Sequence, residues 1–144
     1  MAKVIYRGPI ANEPQTVNLP VAGAYLPGVM VTSDGSTLTE AIAADIEGDL
    51  HLLSNSRFVG QDIETAYASG DTGVAYKPKA GEQYQVRLAA DNYAANDLLT
   101  VGASGYLEKA GSGERVLAFF KGSAGAIAAG ALTDVEFANS FNLA

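Results

Sequence analysis

The sequence predicts an all-β protein, a small β-barrel or sandwich of short antiparallel strands and hairpins, with an extended N-terminal arm and at most one short helix. Three observations lead there. Sixteen glycines punctuate 144 residues, and the apolar runs are short and end in turn chemistry. A hydrophobic content of 48% with a mean hydropathy of +0.10 calls for a packed core rather than disorder. A chain of this length fits one domain and buries roughly two-thirds of its unfolded surface without disulfides. We place the arm at residues 1–24 and a single β domain at 25–144.

The arm opens with the β-prone run Lys3-Val4-Ile5-Tyr6, but prolines follow at 9, 14, 20 and 27. They bar a helix and an internal strand. An arm carrying Val4, Ile5, Tyr6, Pro9 and Ile10 leaves apolar side chains and backbone groups uncovered unless it lies on its own domain or adds a strand to a neighbour. Next, Val29-Met30-Val31-Thr32, the turn Ser33-Asp34-Gly35-Ser36, and Thr37-Leu38-Thr39 read as a hairpin. A helix competes for its return strand. Thr37 and Glu40 have capping-box spacing, and Leu38, Ile42 and Ile46 recur every four residues, which fits a short helix over Leu38–Glu47. Ile63–Tyr67 reads as a strand turning at Ser69-Gly70-Asp71 into Val74-Ala75-Tyr76.

The alternation of Gln83–Leu88 puts Tyr84, Val86 and Leu88 on one face and Gln83, Gln85 and Arg87 on the other, a half-buried strand. Leu98–Val101, the turn Gly102–Gly105 and Tyr106–Glu108 form a second hairpin. Val116–Phe120 is apolar on both faces and fits a central strand, and Thr133–Phe137 alternates and closes the sheet. Residues 27–41 align without gaps on 96–110, where Leu38 meets Leu107 and Ala41 meets Ala110. We read this as two hairpins obeying the same local rules rather than as a duplication.

Charge and chemistry narrow the function classes. The net charge of −7 falls within residues 33–72, which hold eight acids against Arg57 alone. Such a segment is a solvated face or a face for a basic protein surface, and it makes nucleic acid a poor partner. Without cysteine, disulfide frameworks, zinc–thiolate sites and thiol catalysis are excluded. The N-terminus has no apolar signal-peptide core and no run is long enough for a membrane helix, so we expect a soluble protein made in a cytoplasm. His51 is the one histidine; it has Asp49, Ser54 and Ser56 nearby in sequence but no nucleophile elbow. Asp45, Glu47 and Asp49 lack the glycine and glutamate that complete a calcium loop, since Leu50 and Ser56 stand at those positions. The sequence therefore predicts no enzyme, no metal and no cofactor. Ser123–Leu132 is a run of small residues in which Ala126, Ile127 and Leu132 are candidates for a subunit interface, the alternative being a compact internal loop.

From about Gly81 to Phe137 the chain resembles the decoration, or structural cement, proteins of tailed-bacteriophage heads. The stretches that carry the resemblance are Gly81–Ala90, Asn96-Asp97-Leu98-Leu99-Thr100-Val101, Ser104–Glu108 and Val116-Leu117-Ala118, in that order. Asn96 stands where the family pattern has glycine. The hairpin from Val29 to Thr39 resembles that of the lambda head decoration family. This resemblance implies a homotrimer over threefold or quasi-threefold positions on the outer capsid surface of a virion. The arm would clamp the major capsid protein by strand addition, with Val4, Ile5, Tyr6, Pro9 and Ile10 as anchors. Two other readings stay open: another phage structural subunit, in a tail or fibre base, and a carbohydrate- or cell-surface-binding module using tyrosines such as Tyr67 and Tyr76.

Overall fold

The computed structural model describes residues 4–9, 14–45 and 48–143, less the side chain of Phe58. Its strands are β1 (Tyr6–Gly8), β2 (Thr16–Pro20), β3 (Met30–Ser33), β4 (Leu38–Glu40), β5 (Leu50–Ser54), β6 (Thr72–Tyr76), β7 (Gln83–Arg87), β8 (Asp91–Tyr93), β9 (Leu98–Val101), β10 (Leu107–Lys109), β11 (Arg115–Phe120), β12 (Gly125–Ile127) and β13 (Leu132–Asn142). Single 3-10 turns lie at Ala43–Asp45, Arg57–Val59 and Ala103–Gly105. Among the described residues there is no α-helix. The protein is all-β.

Two large antiparallel sheets make a small sandwich. One has the order β1-β7-β13-β11-β9-β10, the other β2-β6-β5-β3-β4, and β12 pairs β8 beside them. Neither large sheet closes into a barrel. Each curls until a single parallel bridge spans it, from Val21 just past β2 to Leu38 of β4 in one, and from Leu88 just past β7, inside β1, to Leu107 of β10 in the other.

The two sheets repeat one topology. In chain order β2, β3, β4, β5 and β6 occupy the same places as β7, β9, β10, β11 and β13, with β1 added outside β7. Hydrogen bonds at the corners match one for one. Ala22 N–H donates to Leu38 O (2.9 Å) as Ala89 N–H does to Leu107 O (2.9 Å). Gly70 N–H donates to Val21 O and Val21 N–H to Asp71 O, as Gly130 N–H does to Leu88 O and Leu88 N–H to Ala131 O. Gly70 and Gly130 both hold a positive φ, 91° and 79°, in the region where a Cβ is penalised. The similarity of residues 27–41 and 96–110 is thus one part of a whole-sheet repeat, residues 16–76 and 83–142, and not two hairpins alike by local rules.

Packing follows from alternation along the strands. Met30, Leu52 and Tyr76 lie in register across β3, β5 and β6 and belong to the core shared with Tyr84, Val86, Leu99, Ala118 and Phe137 of the other sheet. Their neighbours Val31, Leu53 and Ala75 face the opposite way, into a second core with Val21, Leu38 and Tyr67. The shared core centres on Tyr84, whose ring lies 5.2 Å from Tyr6, 5.7 Å from Tyr76 and 5.3 Å from Phe137. Each such aromatic pair contributes about 0.5–1.5 kcal/mol beyond the area it buries.

Several expectations are corrected. Residues 38–47 do not form a helix. Leu38–Glu40 pairs with β3, because Leu38 is fully buried in the second core while Ile42, on the same helical face, is 52% exposed. Ile46 and Glu47 lie outside the described residues. Ile63–Tyr67 is not a strand: Asp62 accepts backbone N–H groups from Glu64 and Thr65 in a turn, although Ile63 and Tyr67 are both buried. β6 pairs instead with β2 and β5. β7 is covered on both faces, with Gln85 and Arg87 buried, and β13 lies inside its sheet rather than closing it.

Candidate interaction surfaces

The described part of the arm belongs to the sandwich. β1 pairs with β7, Ile5 O accepts from Gln85 N–H at 2.7 Å, and β2 forms the margin of the five-stranded sheet. Ile5 is 1% exposed within the shared core, so it is corrected from an uncovered anchor to the residue that holds the arm down. Tyr6 is half-buried against Tyr76 and Tyr84. Val4 and Pro9 are exposed. Ile10 lies outside the described residues. Val4, Ile5 and Tyr6 meet Ser54, Asn55 and Arg57 in a cleft of about 100 Å³.

The second predicted surface divides in the same way. Ala126 is exposed, whereas Ile127 and Leu132 are partly buried and packed against the shared core. Ile127 and Leu132 come together in an open hollow of about 360 Å³ whose rim includes Gly122, Ser123, Thr133 and Arg7. The arm and the small-residue segment, read separately from the sequence, therefore share one surface through Arg7. This arginine stands 3.9 Å from the Asp134 carboxylate, both side chains being partly exposed.

Two features escaped the sequence reading. One is the loop 55–64. Asn55 donates to Gln61 O at 2.7 Å, Ser56 N–H to the Gln61 side chain at 2.8 Å, and Gln61 Nε2 to Thr65 O at 2.8 Å. Gly60 ends the turn in the left-handed region at φ 70°. This frame displays Val59, which is 80% exposed; the signal was the apolar pair Phe58-Val59 before a glycine within a polar stretch. The other is Arg87, 4% exposed. It donates to Pro27 O (2.7 Å), Gly130 O (2.8 Å) and Ile63 O (2.7 Å) and reaches the Glu64 carboxylate at 3.4 Å. A buried guanidinium needs such partners, and three carbonyls from three loops supply them.

The residues weighed for chemistry are occupied structurally. His51 is buried on β5, its Nδ1 3.2 Å from Asp49 O, while its Nε2 has no protein partner among the described residues. Ser54 donates to Asn55 rather than to the imidazole. Asp45 accepts the Ile42 N–H at 3.0 Å as part of its own turn. No group of three metal-ligating side chains occurs among the described residues. Tyr67 and Tyr76, the proposed sugar platform, are 4% and 7% exposed, and the Tyr67 hydroxyl donates to Ser54 O. Burial raises the hydroxyl pKa of Tyr67 and Tyr84, and that of Tyr93 to about 12. These rings are core, and their faces offer sugar nothing to stack on.

No family model matches the chain, and no curated protein matches it either.

Proposed function

We propose that this protein is a virion structural protein that binds the outer surface of a phage capsid and stabilises it, as trimers at threefold or quasi-threefold positions. The reading rests on the resemblance of residues 81–137 to head decoration proteins, and the observation that carries it is the docking of β1. Among the described residues β1 has one strand partner, β7, and stands at the margin of its sheet. Ile5 fixes it from within while Val4 stays exposed. A marginal strand fixed in this way accepts a further strand at little ordering cost. Strand addition by the shell to β1 is thus the form of clamp that keeps Ile5 in its own core. Many weak contacts of this kind on one lattice act multivalently.

The test is binding of the purified full chain to emptied heads of the phage that carries its gene, read by cosedimentation and by imaging of the particles. Density at threefold positions and a rise in the heads' resistance to heat are expected. Density confined to a tail or to a fibre base assigns the protein to that part of the virion instead, and absence from every particle overturns the reading.

A further inference from the structure

The two halves differ at one sheet margin, and the difference identifies an acceptor site. Ladder registers and corner bonds match β2 to β7 residue by residue: Val17 to Tyr84, Asn18 to Gln85, Leu19 to Val86 and Pro20 to Arg87. In the second half the outer edge of β7 is covered. Gln85 N–H donates to Ile5 O at 2.7 Å, Gln85 Nε2 donates to Val4 O at 2.9 Å, and Tyr6 pairs with Tyr84. In the first half β2 has β6 as its one strand partner among the described residues, and its outer edge is open.

That edge is equipped for a further strand. Gln15 O accepts from Lys77 N–H and Val21 N–H donates to Asp71 O, so alternate residues of β2 bond β6. Thr16 and Asn18, between them, turn their backbone groups outward. Asn18 also places a side-chain amide where Gln85 uses one to hold β1. Burial shows the same gap. Tyr84 and Val86 of the covered strand are fully buried, whereas Val17 and Leu19 are only partly so, although Leu19 packs on the second core. Pro20 has no N–H to offer at the place where Arg87 N–H donates to Gly28 O. It confines an added strand to Thr16–Leu19, about the length of β1. Thr16 lines the same cleft as Val4 and Tyr6, so the open edge continues the surface of the arm.

We propose that an extended strand of the shell protein adds to the outer edge of β2, antiparallel to it, in the place that β1 takes on β7. β1 is the template for its chemistry. The added strand has an apolar side chain opposite Val17, as Tyr6 stands opposite Tyr84, and basic residues at its ends, as in Lys3-Val4-Ile5-Tyr6-Arg7. Bases suit this half, because residues 16–76 hold eight acids against one base, Arg57. Main-chain bonds to the free edge supply affinity, and the alternate side chains supply selectivity. The inference rests on the proposed function for the shell as partner, and it adds to the clamp at β1 a second acceptor strand in the other sheet.

Acceptance of a strand is tested without capsid. A capped peptide of residues 2–8, the sequence that covers β7, is titrated into the isotope-labelled full chain and followed by amide NMR. Shifts and slowed hydrogen exchange are expected at Thr16 and Asn18, with severalfold weaker binding of a peptide carrying Lys3→Glu and Arg7→Glu. No response at these two amides, or a response confined to Gln85, where the peptide replaces β1, overturns the proposal. The partner is tested with emptied heads. Asn18→Pro removes an outward N–H that β6 does not use, at a kind of position where edge strands tolerate proline. It is expected to lower head binding at least about tenfold with an unchanged circular dichroism spectrum. Should N18P lose that spectrum, Thr16→Pro blocks the other outward amide and decides the same question. Heads that bind the blocked variant as tightly as wild type overturn the β2 site and leave the proposed function standing. A wild-type chain that binds no head overturns both.

Discussion

At the scale of single residues, five side chains carry consequences that a stability measurement reads directly. Arg87 satisfies the carbonyls of Pro27, Ile63 and Gly130 from a buried position. Arg87→Ala strands those carbonyls and opens a void, and should cost about 3–5 kcal/mol in urea unfolding. Arg87→Lys should recover only a small part, because an ammonium does not reproduce the planar fork. His51 behaves in the opposite sense. Its Nε2 is buried without a protein partner among the described residues, and register matches the position to the apolar Ala118 of the second half. His51→Leu should raise stability by about 1 kcal/mol, since the desolvation cost of the orphan nitrogen disappears. The buried tyrosines fix the alkaline limit. Burial raises the pKa of Tyr67, Tyr84 and Tyr93, the last to about 12. Above about pH 10 the unfolded chain has lost phenolic protons that the folded one still holds. Stability contributed by these groups is full below that pH and falls as pH rises toward the folded values. Denaturation midpoints that decline from about pH 10 upward, with phenolate absorbance appearing together with unfolding, would check the sign.

At the scale of elements, close approach makes the clearest prediction. A Cβ on Gly73 of β6 would stand 2.6 Å from Val21 and 3.2 Å from Leu38 and Leu53. Gly73→Ala should therefore destabilise by about 1–3 kcal/mol, while Gly35→Ala, where a Cβ meets nothing within 4 Å but φ is +88°, acts through backbone strain alone. What the sequence made legible divides along the same line between local and distant causes. The hairpins β3–β4 and β9–β10 were readable because their turns are written in adjacent residues; Asp34 Oδ1 accepts the N–H groups of Ser36 and Thr37 at 2.8 Å each, and those bonds lower its pKa. β11 was readable as central because its own side chains are apolar on both faces. β7 was not, since Gln85 and Arg87 become buried only through partners at Val4, Pro27, Ile63 and Gly130. The same holds for the surfaces: Ile5 looked uncovered because β7, which covers it, lies eighty residues away in the chain. Val59 went unweighed because its exposure depends on the bracing of the loop around it.

At the scale of the whole molecule, the repeat gives two sheets of one topology but not two independent domains. Met30, Leu52 and Tyr76 of one half and Tyr84, Leu99 and Phe137 of the other share a core, and Arg87 bonds the loops of both. Unfolding should be a single cooperative transition, with far-UV circular dichroism and tyrosine fluorescence giving coincident curves; two separated transitions would show that the halves melt apart. The place of β13 has a further consequence, for the order in which the protein is made. The five strands of the first sheet are all present once Tyr76 has been synthesised. In the second sheet β13 follows β7 and β11 in the chain and must enter between them. Among the described residues, β1 has no strand partner until β7 appears. During translation the first half thus has a complete sheet while its future neighbour still lacks a central strand. The shared core closes only once β13 has been made, and a chain broken off before Leu132 would bear an open sheet, a natural substrate for quality-control proteases.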